Sequence, residues 1–171
     1  MKVWIRNLTK DIEKEINLPM DERELDKVLN PNDEYIILDS EILKVDEYES
    51  IDSLNEFLFV CEENGVSLED LEILSALYFY NEVKEMVNNQ TYMIIDFDAE
   101  TSSWCNGNGG DFCNSSDKGM CLFDSGMYNP FGFEMTEEIY DWIDWESVWI
   151  NAETEGWQAV GINRHGYLVH R

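Results

Sequence analysis

The chain has 171 residues, of which 37 are Asp or Glu and 11 are Lys or Arg, a formal net charge of −26. Its 44% hydrophobic and 13% aromatic content is enough for a core, which excludes a disordered acidic tail. Charge of this sign repels nucleic acid and anionic membranes, so neither is expected as a direct ligand.

In chain order, Val3-Trp4-Ile5-Arg6 has a short strand pattern. Asp21 with Glu24 resembles a capping box, and Leu25, Val28 and Leu29 give the apolar stripe of a short helix that Pro31-Asn32-Asp33 stops. Tyr35-Ile36-Ile37-Leu38-Asp39-Ser40 reads as a buried strand, followed by a turn and a further extended stretch to Tyr48. From Ser50 the period becomes helical: Ile51, Leu54, Leu58 and Cys61 recur on one face until Gly65. Ser67 and Asp70 form a second capping box, and Leu68, Leu71 and Leu74 predict a longer helix to about Val87. Tyr92-Met93-Ile94-Ile95-Asp96-Phe97 restarts a strand. A Gly-, Asn- and Ser-rich loop spans residues 104–124. Thr136 then caps a helix predicted from Glu137 to about Trp149, and 157–162 with 167–170 read as a hairpin. The expected fold class is α+β, in three small modules: an α+β module at 1–50, a helical one at 51–90 and an α+β one at 91–171.

The charge is unevenly distributed along this order. Residues 1–30 carry seven acids and six bases, a net of −1. Residues 31–100 carry 19 acids against Lys44 and Lys84, a net of −17, and residues 101–171 carry 11 against Lys118, Arg164 and Arg171, a net of −8. A uniform solubility coat would be even, so halophilic solubility gives way to cation binding or to an anionic surface presented to a partner. In duplex DNA, with one charge per about 1.7 Å, 26 charges correspond to roughly 44 Å or about 13 base pairs.

Catalytic and metal motifs are nearly absent. The chain contains two histidines, His165 and His170, and lacks a phosphate loop, a nucleophile elbow and a His-Glu-x-x-His helix. Asp96-Phe97-Asp98-Ala99-Glu100 could begin a calcium loop but lacks the later Gly and Glu. Cys105, Cys113 and Cys121 are eight residues apart, too far for the usual zinc-site pairs, and Cys61 fits a small buried hydrophobe. No enzyme, cofactor or metal is expected. No run approaches the ~18 apolar residues of a membrane span, and Met1-Lys2-Val3-Trp4-Ile5-Arg6 does not read as a signal peptide, so a cytoplasmic location is expected.

The stretch Leu18-Pro19-Met20-Asp21, then Asn32-Asp33-Glu34-Tyr35, Asp39, and above all Val45-Asp46-Glu47-Tyr48-Glu49-Ser50-Ile51-Asp52-Ser53-Leu54-Asn55, resembles the ArdA antirestriction proteins. So do Tyr140-Asp141-Trp142-Ile143-Asp144-Trp145-Glu146, Gly156 and Asn163-Arg164-His165-Gly166-Tyr167-Leu168-Val169 near the other end. The resemblance is weak across residues 90–135, where the cysteine-bearing loop stands in place of a helical stretch. It implies an elongated, homodimeric DNA mimic with an acidic surface. Such a protein competes with DNA, without catalysis, for the binding cleft of a type I restriction-modification enzyme. The carboxylates then expected to stand in for phosphates are Asp33, Glu34, Asp39, Asp46, Glu47, Glu49, Asp52, Glu56, Glu62, Glu63, Glu69, Asp70 and Glu72, with Glu137, Asp141 and Asp144 as one face of the closing helix. The alternatives are an acidic interaction protein for another basic or DNA-binding partner, and a metal-binding protein.

Overall fold

The computed structural model describes residues 1–97, 115–132, 135–162 and 165–171. Those residues form seven helices and two three-stranded antiparallel sheets, a mixed α+β fold, and the chain divides into two compact units, Met1–Gln90 and Thr91–Arg171. No helix is long and apolar enough to cross a membrane among the described residues.

In the first unit, β1 (Lys2–Asn7) is the central strand, flanked by β2 (Ile12–Asn17) and β3 (Tyr35–Ser40). Val3 and Ile5 alternate into the core, with Ile5 paired to Ile37 and Val3 to Ile16. The register slips at Leu38, an extra residue opposite the Trp4–Ile5 step, and its side chain is turned out to 43% exposure. No strand of the first unit follows β3: the stretch expected to be extended up to Tyr48 has bends at 41–43 and a turn at 47–48, where the Asp46 carboxylate accepts from the Tyr48 N–H at 2.9 Å. The helix expected after Asp21 is α1 (Glu22–Val28), where the Asp21 side chain caps the Arg23 N–H.

The helical segment contains three helices. α2 (Ile51–Glu63) starts at Ser50, whose hydroxyl accepts from the Ser53 N–H, and buries Leu54, Phe57, Leu58 and Cys61. Burial pushes the Cys61 thiol up to about 12, which leaves it a protonated core residue. α3 (Leu68–Leu77) opens on the Ser67–Asp70 capping box, with reciprocal bonds of 3.0 and 2.8 Å. The single helix expected to run on to Val87 is interrupted. Tyr78 and Phe79 adopt extended backbone, and α4 (Tyr80–Asn89) starts afresh with the Phe79 N–H donating to the Glu82 carboxylate at 3.1 Å.

Buried polar contacts tie these helices to the N-terminal segment of the same unit. The Asn55 amide makes both possible bonds to Met20, accepting from its N–H at 2.8 Å and donating to its carbonyl at 3.0 Å. The Ser75 hydroxyl donates to the Ile42 carbonyl at 2.8 Å, and the Tyr80 N–H reaches the Lys44 carbonyl. Asn55 and Ser75 are 6% and 3% exposed, and each is hydrogen-bonded, as burial of polar groups requires.

The second unit begins with β4 (Met93–Phe97), which pairs with β6 (His165–His170), the central strand, and β6 pairs with β5 (Trp157–Ile162). The hairpin expected at the C-terminal end is therefore present, and β4 joins its inner strand. The loop expected over 104–124 is a helix in its described part: α5 (Ser115–Asp124) carries Cys121 and buries Leu122. Cys105 and Cys113, like Asp98 and Glu100 of the calcium-loop pattern, lie outside the described residues. α5 packs on α7 (Trp145–Thr154) around Leu122, Trp145, Val148 and Trp149. Gly119 makes the approach possible, since a Cβ built there would stand 2.1 Å from the Trp145 carbonyl oxygen.

The closing helix expected from Glu137 to Trp149 is also two helices. α6 is a single turn (Glu137–Tyr140), and α7 begins anew after Asp144. The Asp144 carboxylate accepts from the Ser147 N–H at 3.2 Å and from its hydroxyl at 2.7 Å, so it serves as an N-cap.

Candidate anionic interface

Four ion pairs lie within residues 1–33. Lys2 pairs with Glu15, Arg6 with Asp11 and Glu13, and Lys10 with Asp33, while Lys14 Nζ of the same hairpin donates to the Val28 carbonyl. The two lysines of the acidic stretch engage uncharged groups. Lys44 Nζ donates to the Ala76 carbonyl and lies over the Phe79 ring, while Lys84 Nζ donates to Ser53 Oγ at 2.7 Å and lies over Tyr80.

Between them α2 presents Asp52, Glu56, Phe59 and Glu63 on its exposed side, at i, i+4, i+7 and i+11. At 1.5 Å per residue this row is about 16 Å long. Glu62 lies beside it, and Glu72 is exposed on α3. Among the described residues no cation stands within ion-pair distance of Asp52, Glu56, Glu62, Glu63 or Glu72. Like charges one turn apart disfavour the helix by a few tenths of a kcal/mol each, so the row does not serve the helix that carries it.

The other expected carboxylates divide into two groups. Glu34, Asp39, Asp46, Glu47 and Glu69 are exposed, just before β3, on β3, in the segment after it and on the first turn of α3. Asp33, Glu49 and Asp70 are partly covered, Asp70 by its capping duty. Asp33 is the least available: its side chain is 6% exposed and accepts from Asn7 Nδ2 at 2.8 Å and Lys10 Nζ at 2.6 Å. Of the face expected on the closing helix, Glu137 and Asp141 stay together on and just after α6, while Asp144 turns to the start of α7. The sequence pattern did not single out Asp124, which joins Glu137 and Asp141 at one cleft; the only signal for it would have been the helical character of 115–124.

The Asp33 contacts have a measurable pH signature. The bonds from Lys10 and then Asn7 hold its carboxyl below the ordinary carboxylate value. A carboxylate whose folded value is depressed contributes stability above its unfolded value near 3.8, and that contribution is lost as pH falls through the folded value. Asp33→Asn should therefore unfold at a lower temperature than the parent at pH 7, and the gap should close as pH drops below about 4. A gap that stays constant from pH 7 to pH 3 in thermal melts would show that the Asp33 charge contributes nothing.

Among the described residues no group of three or more His, Cys, Asp or Glu is arranged to hold a metal ion. No protein-family model matches this chain, and comparison with curated proteins gives no match.

Proposed function

We propose that this protein is an antirestriction DNA mimic, which occupies the DNA-binding cleft of a type I restriction-modification enzyme through its methyltransferase core. The observation that carries the proposal is the exposed row Asp52, Glu56, Glu63 with Glu62 and Glu72 nearby, in a stretch whose two lysines bond to neutral groups. A fold gains nothing from such a row, whereas a cleft built to hold phosphates gains a set of regularly spaced anions. The acidic surface, the elongated three-module arrangement and the homodimer implied by the family resemblance belong to the same proposal.

The test is binding to a purified type I methyltransferase core with and without its duplex DNA. Binding should be mutually exclusive with DNA, and affinity should fall by up to about 1000-fold between about 50 and 200 mM salt, the span expected if some six cations of the partner are engaged. A stable ternary complex with cognate DNA, or an affinity indifferent to salt, would overturn the proposal.

A further inference from the structure

We infer that a cleft in the second unit binds the guanidinium group of an arginine side chain on a partner protein. The cleft has a volume of about 530 Å³ and lies where the end of α5 meets α6, lined by Phe123, Asp124, Met135, Glu137, Tyr140 and Asp141. That volume lies within the range of small-ligand sites.

Its wall is aromatic and braced from behind. Phe123 meets Tyr140 edge-on with ring centroids 6.3 Å apart, and Tyr140 lies 4.5 Å from Trp145, which is buried in the core. Tyr140 Oη donates to Asp124 Oδ2 at 2.8 Å, so one carboxylate is held at the rim by the ring that forms the wall. Burial, and then this bond to Asp124, raise the Tyr140 hydroxyl far above its ordinary value, so it remains a donor at any physiological pH. Glu137 and Asp141, one helical turn apart, supply two more carboxylates, and among the described residues no lining side chain is basic.

The aromatic wall with carboxylates on the lining selects the ligand class. Among the described residues no three such groups are arranged to hold a metal ion, so Asp124, Glu137 and Asp141 do not form the oxygen-rich shell that a hard cation such as Ca²⁺ needs. A planar guanidinium, with five N–H donors and a delocalised charge, can lie on an aromatic wall while its edge reaches separate carboxylates. An ammonium makes a single point contact, and a neutral group of the same shape gains nothing from the charge. A phosphate mimic working only through a summed field needs no aromatic wall. The cleft thus goes beyond the proposed function, sits in a different unit from the α2 row, and serves any arginine-bearing partner.

The experiment titrates the full chain with N-acetyl-argininamide and follows the Met135 methyl and Tyr140 ring resonances by NMR. Saturable shifts with a Kd of about 1–10 mM are expected, absent with the neutral citrulline analogue and weaker with the lysine analogue. The pair Asp124→Asn and Asp141→Asn should weaken binding at least tenfold, while the Asn at 124 keeps an acceptor for Tyr140. Tyr140→Phe retains the ring and releases Asp124, and should weaken binding severalfold. Glu62→Gln with Glu63→Gln, in the other unit, should leave it unchanged. Shifts that do not saturate, that citrulline reproduces or that survive the double substitution would reduce the cleft to part of a diffuse field. Saturable displacement of the probe by calcium would make it a metal site. Any of these results overturns the inference and leaves competition with DNA to be judged by its own assay.

Discussion

Gly119→Ala should unfold the second unit at a markedly lower temperature. In an isolated helix the same change is favourable by about 1 kcal/mol, because alanine restricts the unfolded chain and suits helical backbone. Here the added methyl would lie 2.1 Å from the Trp145 carbonyl oxygen and 3.3 Å from the Trp149 nitrogen, and both are backbone atoms that no rotamer can move. α5 would have to back away from α7 and open the packing of Leu122 against Trp145 and Trp149. Overpacking of this kind costs about 3 kcal/mol or more, well above the helix-propensity gain. Net of the propensity gain, about 2 kcal/mol remains, which for a unit of this size is a fall in Tm of roughly 8–16 °C. Gly65→Ala is the contrasting case: φ is +72° but nothing lies within 4 Å of the added methyl, so only the left-handed backbone strain of about 1–2 kcal/mol applies. Calorimetry on both variants checks the pair. Equal small shifts would mean that α5 and α7 do not approach as closely as described.

Neutralising the exposed row together with Asp46 should weaken inhibition far more than any single change does. Asp46→Asn or Glu72→Gln alone removes one solvent-exposed charge, worth about 0.5 kcal/mol, and should weaken binding by roughly twofold. Six such changes at Asp46, Asp52, Glu56, Glu62, Glu63 and Glu72 sum to about 3 kcal/mol, or roughly 150-fold, if the sites act independently. Folding stability should hold or rise slightly, because Asp52 and Glu56 repel one another across a helical turn. Removing Glu22, Glu24 and Asp26, exposed acids of α1, should matter less per charge than removing the row. Loss of inhibition from one substitution in a folded protein would point to a single hot spot. Equal losses per charge from both sets would point to bulk charge alone.

The strands and helix starts of this chain were largely legible because their signals are local. Ser50 and the Ser67–Asp70 pair mark the starts of α2 and α3, and Ile36 and Ile37 sit in a recognisable buried strand. The interruptions were hidden because apolar residues continue through them. Leu71, Leu74 and Tyr78 are all buried and read as one face, yet the backbone is extended at Tyr78 and Phe79. Asp144 was assigned to a charged face, although a carboxylate three residues before Ser147 is also a start signal, and capping is the role it takes. β2 was missed by its pattern because Ile16 is its only buried residue, and α5 because its stability comes from α7 and not from its own Ser- and Gly-containing sequence. Among the expected carboxylates, Asp52, Glu56, Glu62 and Glu63 are exposed along α2, off the apolar face that the helical period marks, whereas no local signal shows that Asp33 is enclosed by Asn7 and Lys10 from a neighbouring strand and turn.

The strand order of the second sheet also sets a timetable for synthesis. The strand β6 (His165–His170) lies in the middle, so β4 and β5 have no sheet to join until it emerges. The first unit is complete in sequence by Gln90, some 80 residues earlier. At about 5–20 residues per second, the ribosome leaves an interval of roughly 4–16 s between the two. During that interval a finished first unit, bearing a net −15 of the chain's charge from 23 acids and eight bases, is tethered to a nascent segment whose tryptophans are still without a core.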